Sequence, residues 1–243
     1  MSESSLRIIA VHQELLGTYG DIGNASVLAH RARARGVPVD VCLARSDAPI
    51  PTGGDIYLFG GGEDTAQIAS VDSLRRYSGL QAIGTALSDG AALLAICAGF
   101  QILGDFFPGA AGETVKGIGL LPLHTVAGAK RLVGELAMHS SRFSVPLTGF
   151  ENHRGCTILA ADAQPLGEVF LGTGNGGQVR RTDGIVFGKV IGTYMHGPAL
   201  ARNPELADYL LESVLGVLAA YDDPPATALA VERRSKARAM VTR

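Results

Sequence analysis

The sequence predicts an α/β fold: a single domain with a mostly parallel central sheet flanked by helices, and a smaller antiparallel β element. Three observations carry this reading. The chain opens as strand, loop, helix and strand at residues 6–11, 17–24, 25–35 and 37–43, and a βαβ opening points to parallel strands with helices on the sheet faces. The run AALLAI at 91–96 is unbroken and uncharged, the pattern of a strand buried on both faces. Two apolar strands also run straight into small or Gly-rich turns, at Gly60-Gly61-Gly62 and at Cys97-Ala98-Gly99.

The elements follow in order. Residues 6–11 form the first strand, and His12 stands at its end. Residues 25–35 read as a helix with Asn24 as N-cap and Gly36 as stop. Residues 55–59 (DIYLF) form a strand that enters the Gly60-Gly61-Gly62-Glu63-Asp64 turn, and a helix begins near Thr65. That turn can present N–H groups to an anion. It is neither a Walker motif nor a dinucleotide fingerprint, because a Gly-Lys-Ser/Thr and the G-x-G-x-x-G spacing are both missing. Residues 74–88 predict a helix leading into the strand at 91–96, and Phe106-Phe107-Pro108 ends the short helix after Gln101. Residues 117–123, 130–138 and 144–145 read as short strands. Gly172 to Gly177 is a turn, and 183–187 and 189–194 are closing strands. Asn203-Pro204-Glu205 is a helix start, with N-cap, Pro and acid in the expected places, for a helix over 205–221. The expected domain is 6–221, and the Arg-rich segment 222–243 is a tail or extra helix. No internal repeat is present.

Composition narrows the function class. With 243 residues, 47% hydrophobic and 18% charged, the chain is long and apolar enough for one large core. A net charge of −2 gives no electrostatic reason for a nucleic-acid partner or an anionic membrane. Cys42, Cys97 and Cys156 are few, odd in number and lack Cys-x-x-Cys spacing, which argues against a disulfide framework or a zinc site. No stretch has a signal-peptide layout or membrane-spanning length. The expectation is a cytoplasmic protein that is not inserted in a membrane and holds no metal.

Cys97 sits where a strand-to-helix elbow holds a nucleophile above the sheet edge. A helix starting there aims free N–H groups at the sulfur, which favours a thiolate. From these residues alone Cys97 is equally a buried cysteine at a strand end. His196 ends a second apolar strand, and ligands collect at such carboxyl ends in open α/β sheets. It is the best-placed candidate base, with His12 as its rival and a core histidine as the plain alternative. The N–H of Ala98 and one from the Gly60–Gly62 turn are candidate oxyanion donors. This set suits acyl transfer from an amide.

Cys97-x-Gly99-x-Gln101, the Gly60-Gly61-Gly62 turn and Tyr194-Met195-His196-Gly197-Pro198 resemble class I glutamine amidotransferases of the cobyric acid synthase-like branch. Four stretches are similar, more narrowly, to the glutaminase subunits of lipid II isoglutaminyl synthases: Tyr19-Gly20-Asp21-Ile22-Gly23-Asn24, Gly60-Gly61-Gly62-Glu63-Asp64 with Gln67, Gly149-Phe150-Glu151-Asn152-His153-x-Gly155, and Tyr194-Met195-His196-Gly197-Pro198 with Asn203-Pro204. The resemblance implies a subunit that hydrolyses L-glutamine and passes ammonia to a Mur ligase-like partner (the MurT kind) in a heterodimer. That partner amidates the D-glutamate α-carboxyl of lipid II to D-isoglutamine in peptidoglycan biosynthesis. It implies no cofactor in this subunit, with ATP and Mg on the partner. Cys97 is then the nucleophile and His196 the base, and Arg131, Gly61, Ala98 and Gln101 bind substrate. For Arg131 the physical case is a guanidinium paired with the glutamine α-carboxylate; an exposed hairpin Arg is the plain alternative. Many relatives carry Glu two residues after the His, where this chain has Pro198. The acid that orients His196 therefore stays open, with Asp21 and Glu151 as uncommitted choices. Amidation of cobyrinic or cobyric acid, and a silent binding module of the same fold, are the alternative functions.

Overall fold

The computed structural model describes residues 5–176 and 181–242; Gly177 of the expected turn and the final Arg243 lie outside the described residues. The first half alternates strands and helices: β1 (Leu6–Val11), α1 (Gln13–Leu16), α2 (Gly23–Arg33), β2 (Val39–Ala44), β3 (Ile56–Phe59), α3 (Asp64–Arg76), α4 (Gly79–Ser88), β4 (Ala92–Ile96) and α5 (Ala98–Ile102). A β-rich stretch follows: β5 (Phe106–Pro108), β6 (Thr114–Lys116), β7 (Leu123–His139), β8 (Leu147–Leu159), β9 (Gly167–Leu171), β10 (Thr182–Asp183), β11 (Ile185–Phe187) and β12 (Val190–Thr193). The chain closes with α6 (Ala199–Arg202), α7 (Pro204–Leu215) and α8 (Pro224–Val241).

The central six-stranded sheet has the order β11-β12-β4-β3-β1-β2. All its pairings are parallel except that of β11 with β12. Every residue of β3 and β4 is buried, as their continuous apolar sequences require for strands covered on both faces. The antiparallel element is a four-stranded sheet of order β10-β9-β7-β8, with β5 and β6 as a separate pair. The decisive register joins β4 to β12, Thr193 lying beside Ile96. Both chains leave the sheet at the same rim, and the Cys97 N–H donates to the Thr193 carbonyl at 2.9 Å. Residues almost a hundred positions apart are thereby neighbours.

The structure differs from several local expectations. The helix expected over 74–88 is two helices, broken at Tyr77 and at Ser78, whose φ is 55°. At that break a Cβ on Gly79 would meet Leu74 Cδ2 at 2.7 Å, so close packing overrides propensity. Residues 117–121 form no strand. Their N–H groups return to the end of α5, as from Ile118 to the Ile102 carbonyl at 2.9 Å and from Leu120 to that of Leu103 at 2.8 Å. Residues 144–145 precede β8 rather than form a strand, and α7 stops at Gly216, φ 78°.

Asn203 stands at the N-cap of α7 as expected, though its side chain makes no capping hydrogen bond, whereas Asn24 does not cap α2. Asn203 accepts from the Thr148 N–H at 2.8 Å and donates to the Thr148 and Ala199 carbonyls, both at 2.7 Å. Asn24 lies inside α2 and accepts from the Leu200 N–H at 3.0 Å. Both ties fix the segment that follows His196. The chain beyond Pro224 packs as α8 against α6, β7, β8 and β9, with Ala230 and Ala237 buried and Arg234 paired to Glu205 at 2.6 Å.

Candidate active site

Cys97 occupies the turn between β4 and α5 with φ 49° and ψ −105°. Such a backbone persists at a non-glycine residue only when its surroundings impose it. Here they do: the Cys97 N–H is tied to β12, the Gln101 N–H to the Cys97 carbonyl at 3.0 Å, and the Gly99 N–H to the Gly60 carbonyl at 3.1 Å. Residue 99 must be glycine, since a Cβ would stand 2.6 Å from Phe59 Cβ and 2.9 Å from the Gly60 oxygen. With five residues α5 is barely more than one turn, so its dipole contributes little; the positive charge beside the sulfur comes from His196.

His196 lies three residues beyond the end of β12 and is anchored by paired backbone hydrogen bonds with Phe150 of β8, at 2.8 and 3.1 Å. Its Nδ1 donates to Asp21 Oδ2 at 3.0 Å, and both side chains are almost wholly buried. Its Nε2 is buried without a hydrogen-bond partner of ordinary geometry, which leaves that edge of the ring for Cys97. Burial alone would push this imidazole down. The hydrogen bond to Asp21 and the neighbouring Cys97 side chain outweigh burial and raise it to about 10. His196 is therefore an imidazolium at neutral pH, oriented from one side by a carboxylate and facing sulfur on the other.

Asp21 is the acid that sequence reasoning left open. Its Oδ2 also accepts from the Gly61 N–H at 2.8 Å, so one carboxylate oxygen holds both the ring and the Gly-rich turn. Glu151 is engaged elsewhere: it accepts from the Thr173 and Gly174 N–H groups, each at 2.9 Å. Pro198, where the resemblance would have put Glu, is the N-cap residue of α6 and fits over Gly23, where a Cβ would stand 2.3 Å from Pro198 Cγ. The carboxylate thus comes from the loop after α1. The available signal was its place just beyond the first strand, at the ligand-bearing rim of the sheet.

A cavity of about 460 Å³ opens over this group, lined by Cys97, Ala98, Gln101, Gly62, Glu63, Gln67, Tyr19, Arg131, Asn152 and His153 among others. Arg131 reaches it through a bulge: Ala127 pairs with Gly155 and Leu132 with His153, so residues 128–131 of β7 stand opposite Arg154 alone. Bulges beside active sites re-aim side chains in this way. Arg131 Nε donates to Asn152 Oδ1 at 2.7 Å and Nη2 to the Tyr19 hydroxyl at 3.2 Å. The Tyr19 ring lies against His196, centroids 4.6 Å apart.

Two expectations change in detail. Gly61 does not line the cavity; its N–H is held by Asp21, and a Cβ there would meet His196 Cε1 at 2.4 Å. Its role is to admit the imidazole, and Gly62 is the member of that turn at the cavity wall. Gln101 lines the cavity, but its amide is held at both ends, accepting from Gln67 at 2.9 Å and donating to the Tyr194 hydroxyl at 2.9 Å. The chain of bonds continues from Tyr194 to Thr157 and Thr125, locking the elbow to β8 and β7. His12 is not part of the site: it is fully buried, with Nδ1 2.9 Å from Ser70 Oγ, and burial lowers its pKa. Sequence reasoning gave no role to Tyr19, Glu63, Asn152, Gln67 or Tyr194. Among the described residues no His, Cys, Asp and Glu cluster is arranged to hold a metal ion, and no helix is long and apolar enough to cross a membrane.

Comparison with known proteins places this geometry in a family. Residues 7–204 match the CobB/CobQ-like glutamine amidotransferase domain. The chain is 35% identical over 213 residues to the lipid II isoglutaminyl synthase (glutamine-hydrolyzing) subunit GatD of Streptococcus pneumoniae, covering 86% of this chain and 80% of that protein. It is 35% identical over 208 residues to the GatD subunit of Staphylococcus aureus, covering 85% and 83%. A cobyric acid synthase of Bacteroides fragilis is 33% identical over 166 residues, which span 65% of this chain and 31% of that enzyme. Among solved structures, PurLQS from Thermotoga maritima aligns with TM-score 0.59 at 15% identity, covering 87% of this chain and 98% of that one. A glutamine amidotransferase of the same organism aligns with TM-score 0.53 at 17% identity, covering 98% and 94%; both bear on the fold. With Cys97 at a strand-to-helix elbow, a carboxylate-oriented histidine and a family match over most of its length, the chain belongs to the CobB/CobQ-like glutamine amidotransferases.

Proposed function

We propose that this chain is the cytoplasmic glutamine-hydrolysing subunit of a two-protein amidotransferase that makes the isoglutamine of lipid II. The observation that carries the reading is the Cys97–His196–Asp21 group beside a cavity whose wall includes Cys97 and Arg131. Cys97 sulfur attacks the carboxamide carbon of L-glutamine, and the oxyanion is met by the N–H groups of Ala98 and Gly62. The His196 imidazolium gives its proton to the departing nitrogen, which leaves as ammonia, and a γ-glutamyl thioester remains on Cys97. His196, now neutral, takes a proton from water as that water attacks the thioester. Glutamate leaves, and sulfur and imidazolium are restored.

Ammonia then passes to a Mur ligase-like partner, which uses ATP and Mg to activate the D-glutamate α-carboxyl; this subunit needs no cofactor of its own. The GatD names of two relatives, 35% identical over 86% and 85% of this chain, support this reading over cobalamin amidation, for which the match to a cobyric acid synthase is 33% over 65% of this chain. The test is reconstitution with a Mur ligase-like partner protein. Ammonia release from L-glutamine and amidation of lipid II are the expected results. Ammonia release accompanied by amidation of cobyrinic acid instead would reject the peptidoglycan assignment.

Gly61→Ala probes the packing under the imidazole. Its Cβ would stand 2.4 Å from His196 Cε1 and 3.2 Å from Asp21 Oδ2, so the ring must move. Displacing a catalytic group by about 1 Å costs roughly a hundredfold in rate, and this is the expected loss in glutamine hydrolysis. A variant that folds and hydrolyses glutamine at the wild-type rate would show that the ring position is not set here.

A further inference from the structure

We propose that Asp183 is a positioning residue for glutamine hydrolysis, holding Cys97 and His196 against each other through Thr193. The proposal rests on the glutaminase reading above and adds to it a residue that does not itself meet the reacting atoms.

Only Tyr194 and Met195 separate the end of β12 from His196. Both are buried and neither continues the strand, so their N–H groups need partners outside the sheet ladder. Both N–H groups end on one buried pair. The Tyr194 N–H donates to Asp183 Oδ1 at 3.2 Å, and the Met195 N–H donates to Thr193 Oγ1 at 3.1 Å. The Thr193 hydroxyl donates in turn to Asp183 Oδ2, which leaves its lone pairs for Met195. The Thr193 carbonyl accepts from the Cys97 N–H at 2.9 Å. One threonine therefore holds the nucleophile by its main chain and the approach to the base by its side chain, and the Asp183 carboxylate fixes that side chain.

Asp183 is itself held in place. It is fully buried at the end of β10, and its carbonyl accepts from the Leu166 N–H at 3.0 Å. The turn after β9 packs directly on it, since a Cβ on Gly174 would stand 2.7 Å from Asp183 Cβ. Glu151 secures that turn through the Gly174 N–H at 2.9 Å. Glu151 follows Phe150, whose backbone clasps His196. The contacts thus close a circuit from Phe150 through Glu151, Gly174, Asp183 and Thr193 back to His196. Burial pushes the Asp183 carboxyl up to about 6, against the bonds from Thr193 and Tyr194, so both oxygens remain acceptors at neutral pH. An asparagine would turn an NH2 toward one of the two donors that they serve. Asp183 is not part of the cavity wall, so its bonds serve the residues that meet there rather than the substrate.

The test follows alkylation of the three cysteines by iodoacetamide in the full chain at neutral pH, by peptide mass mapping, together with an NMR titration of His196. Wild-type Cys97 is expected to react faster than Cys42 and Cys156, because an imidazolium stands beside it. Asp183→Asn and Thr193→Val are each expected to slow Cys97 roughly tenfold to a hundredfold, the cost of a displacement of about 1 Å between reacting groups. Each is also expected to bring His196 down from about 10 as the ring moves away from sulfur. Cys42 and Cys156 should keep their rates. Thr193→Ser restores the hydroxyl and is expected to recover the Cys97 rate. Thr193→Val fills the space of the threonine, so it decides the matter even where Asp183→Asn does not fold. Wild-type Cys97 reactivity with an unmoved His196 titration in Thr193→Val would overturn the proposal. A rise in the Cys42 and Cys156 rates in both variants would overturn it as well, by reducing Asp183 to a support for the whole core. Wild-type Cys97 that reacts no faster than Cys42 and Cys156 would reject the glutaminase reading itself, and the proposal with it.

Discussion

Cys97→Ala is expected to bring ammonia release from L-glutamine down to the background of the assay, a loss of at least about a thousandfold. No other sulfur can substitute, because Cys156 donates to the Gly176 carbonyl at 3.2 Å and Cys42 lies on β2, at the far edge of the sheet. The substitution is also mild for the fold. Residue 97 keeps its Cβ, the φ of 49° is held by bonds from the main chain, and the thiol makes no hydrogen bond that supports the core. The thermal midpoint should stay within a few degrees of wild type, so that a dead enzyme is a folded one. Ammonia release at the wild-type rate in Cys97→Ala would remove the nucleophile from the account.

Asp21→Asn is the second large effect, and its direction with pH follows from the His196 shift. Asn keeps one oxygen for the Gly61 N–H and the imidazole, so the loop stays in place while the charge is lost. Burial then dominates, and the His196 pKa falls from about 10. At neutral pH part of the population lacks the proton that the leaving nitrogen needs. The expected outcome is a loss of roughly a hundredfold in kcat/KM at neutral pH, within the range of general acid–base contributions. The alkaline limb of the rate profile also moves down by more than one pH unit. Linkage requires a matching change in stability. A histidine raised above its ordinary 6.5 to about 10 stabilises the fold fully below 6.5, and that contribution disappears as pH rises through 10. Denaturant midpoints of the wild type should therefore fall between neutral pH and 10, and those of Asp21→Asn should fall less. An alkaline limb unchanged by Asp21→Asn would mean that another group holds the imidazolium.

Much of this site was legible because its two principal residues obey one local rule. Cys97 and His196 each follow a continuous apolar strand, and in a parallel sheet the carboxyl ends of strands share a rim. The neighbouring place of β12 and β4, which makes the rim common to both, follows from long-range pairing that no local pattern encodes. Asp21 was harder to assign because it lies in a polar loop without periodicity, and Asp and Asn in loops serve turns more often than chemistry. Tyr19 and Glu63 were quoted only as parts of motifs, since their meeting at one hydroxyl depends on bringing the loop after α1 against the start of α3. The same limit explains the helix misread over 74–88 and the strand misread over 117–123. Gly79 against Leu74, and Ile118 and Leu120 against the end of α5, are contacts between packed segments that override apolar runs reading as one element.

The central claim is that His196 carries its proton across the neutral range because Asp21 and Cys97 hold it there. An NMR titration of ring-labelled histidine in the folded chain measures this directly, with His196 assigned by its loss in His196→Ala. The account predicts an imidazolium signal that persists through pH 8 and titrates near 10. A ring that loses its proton near the ordinary 6.5, with the fold intact, would contradict it.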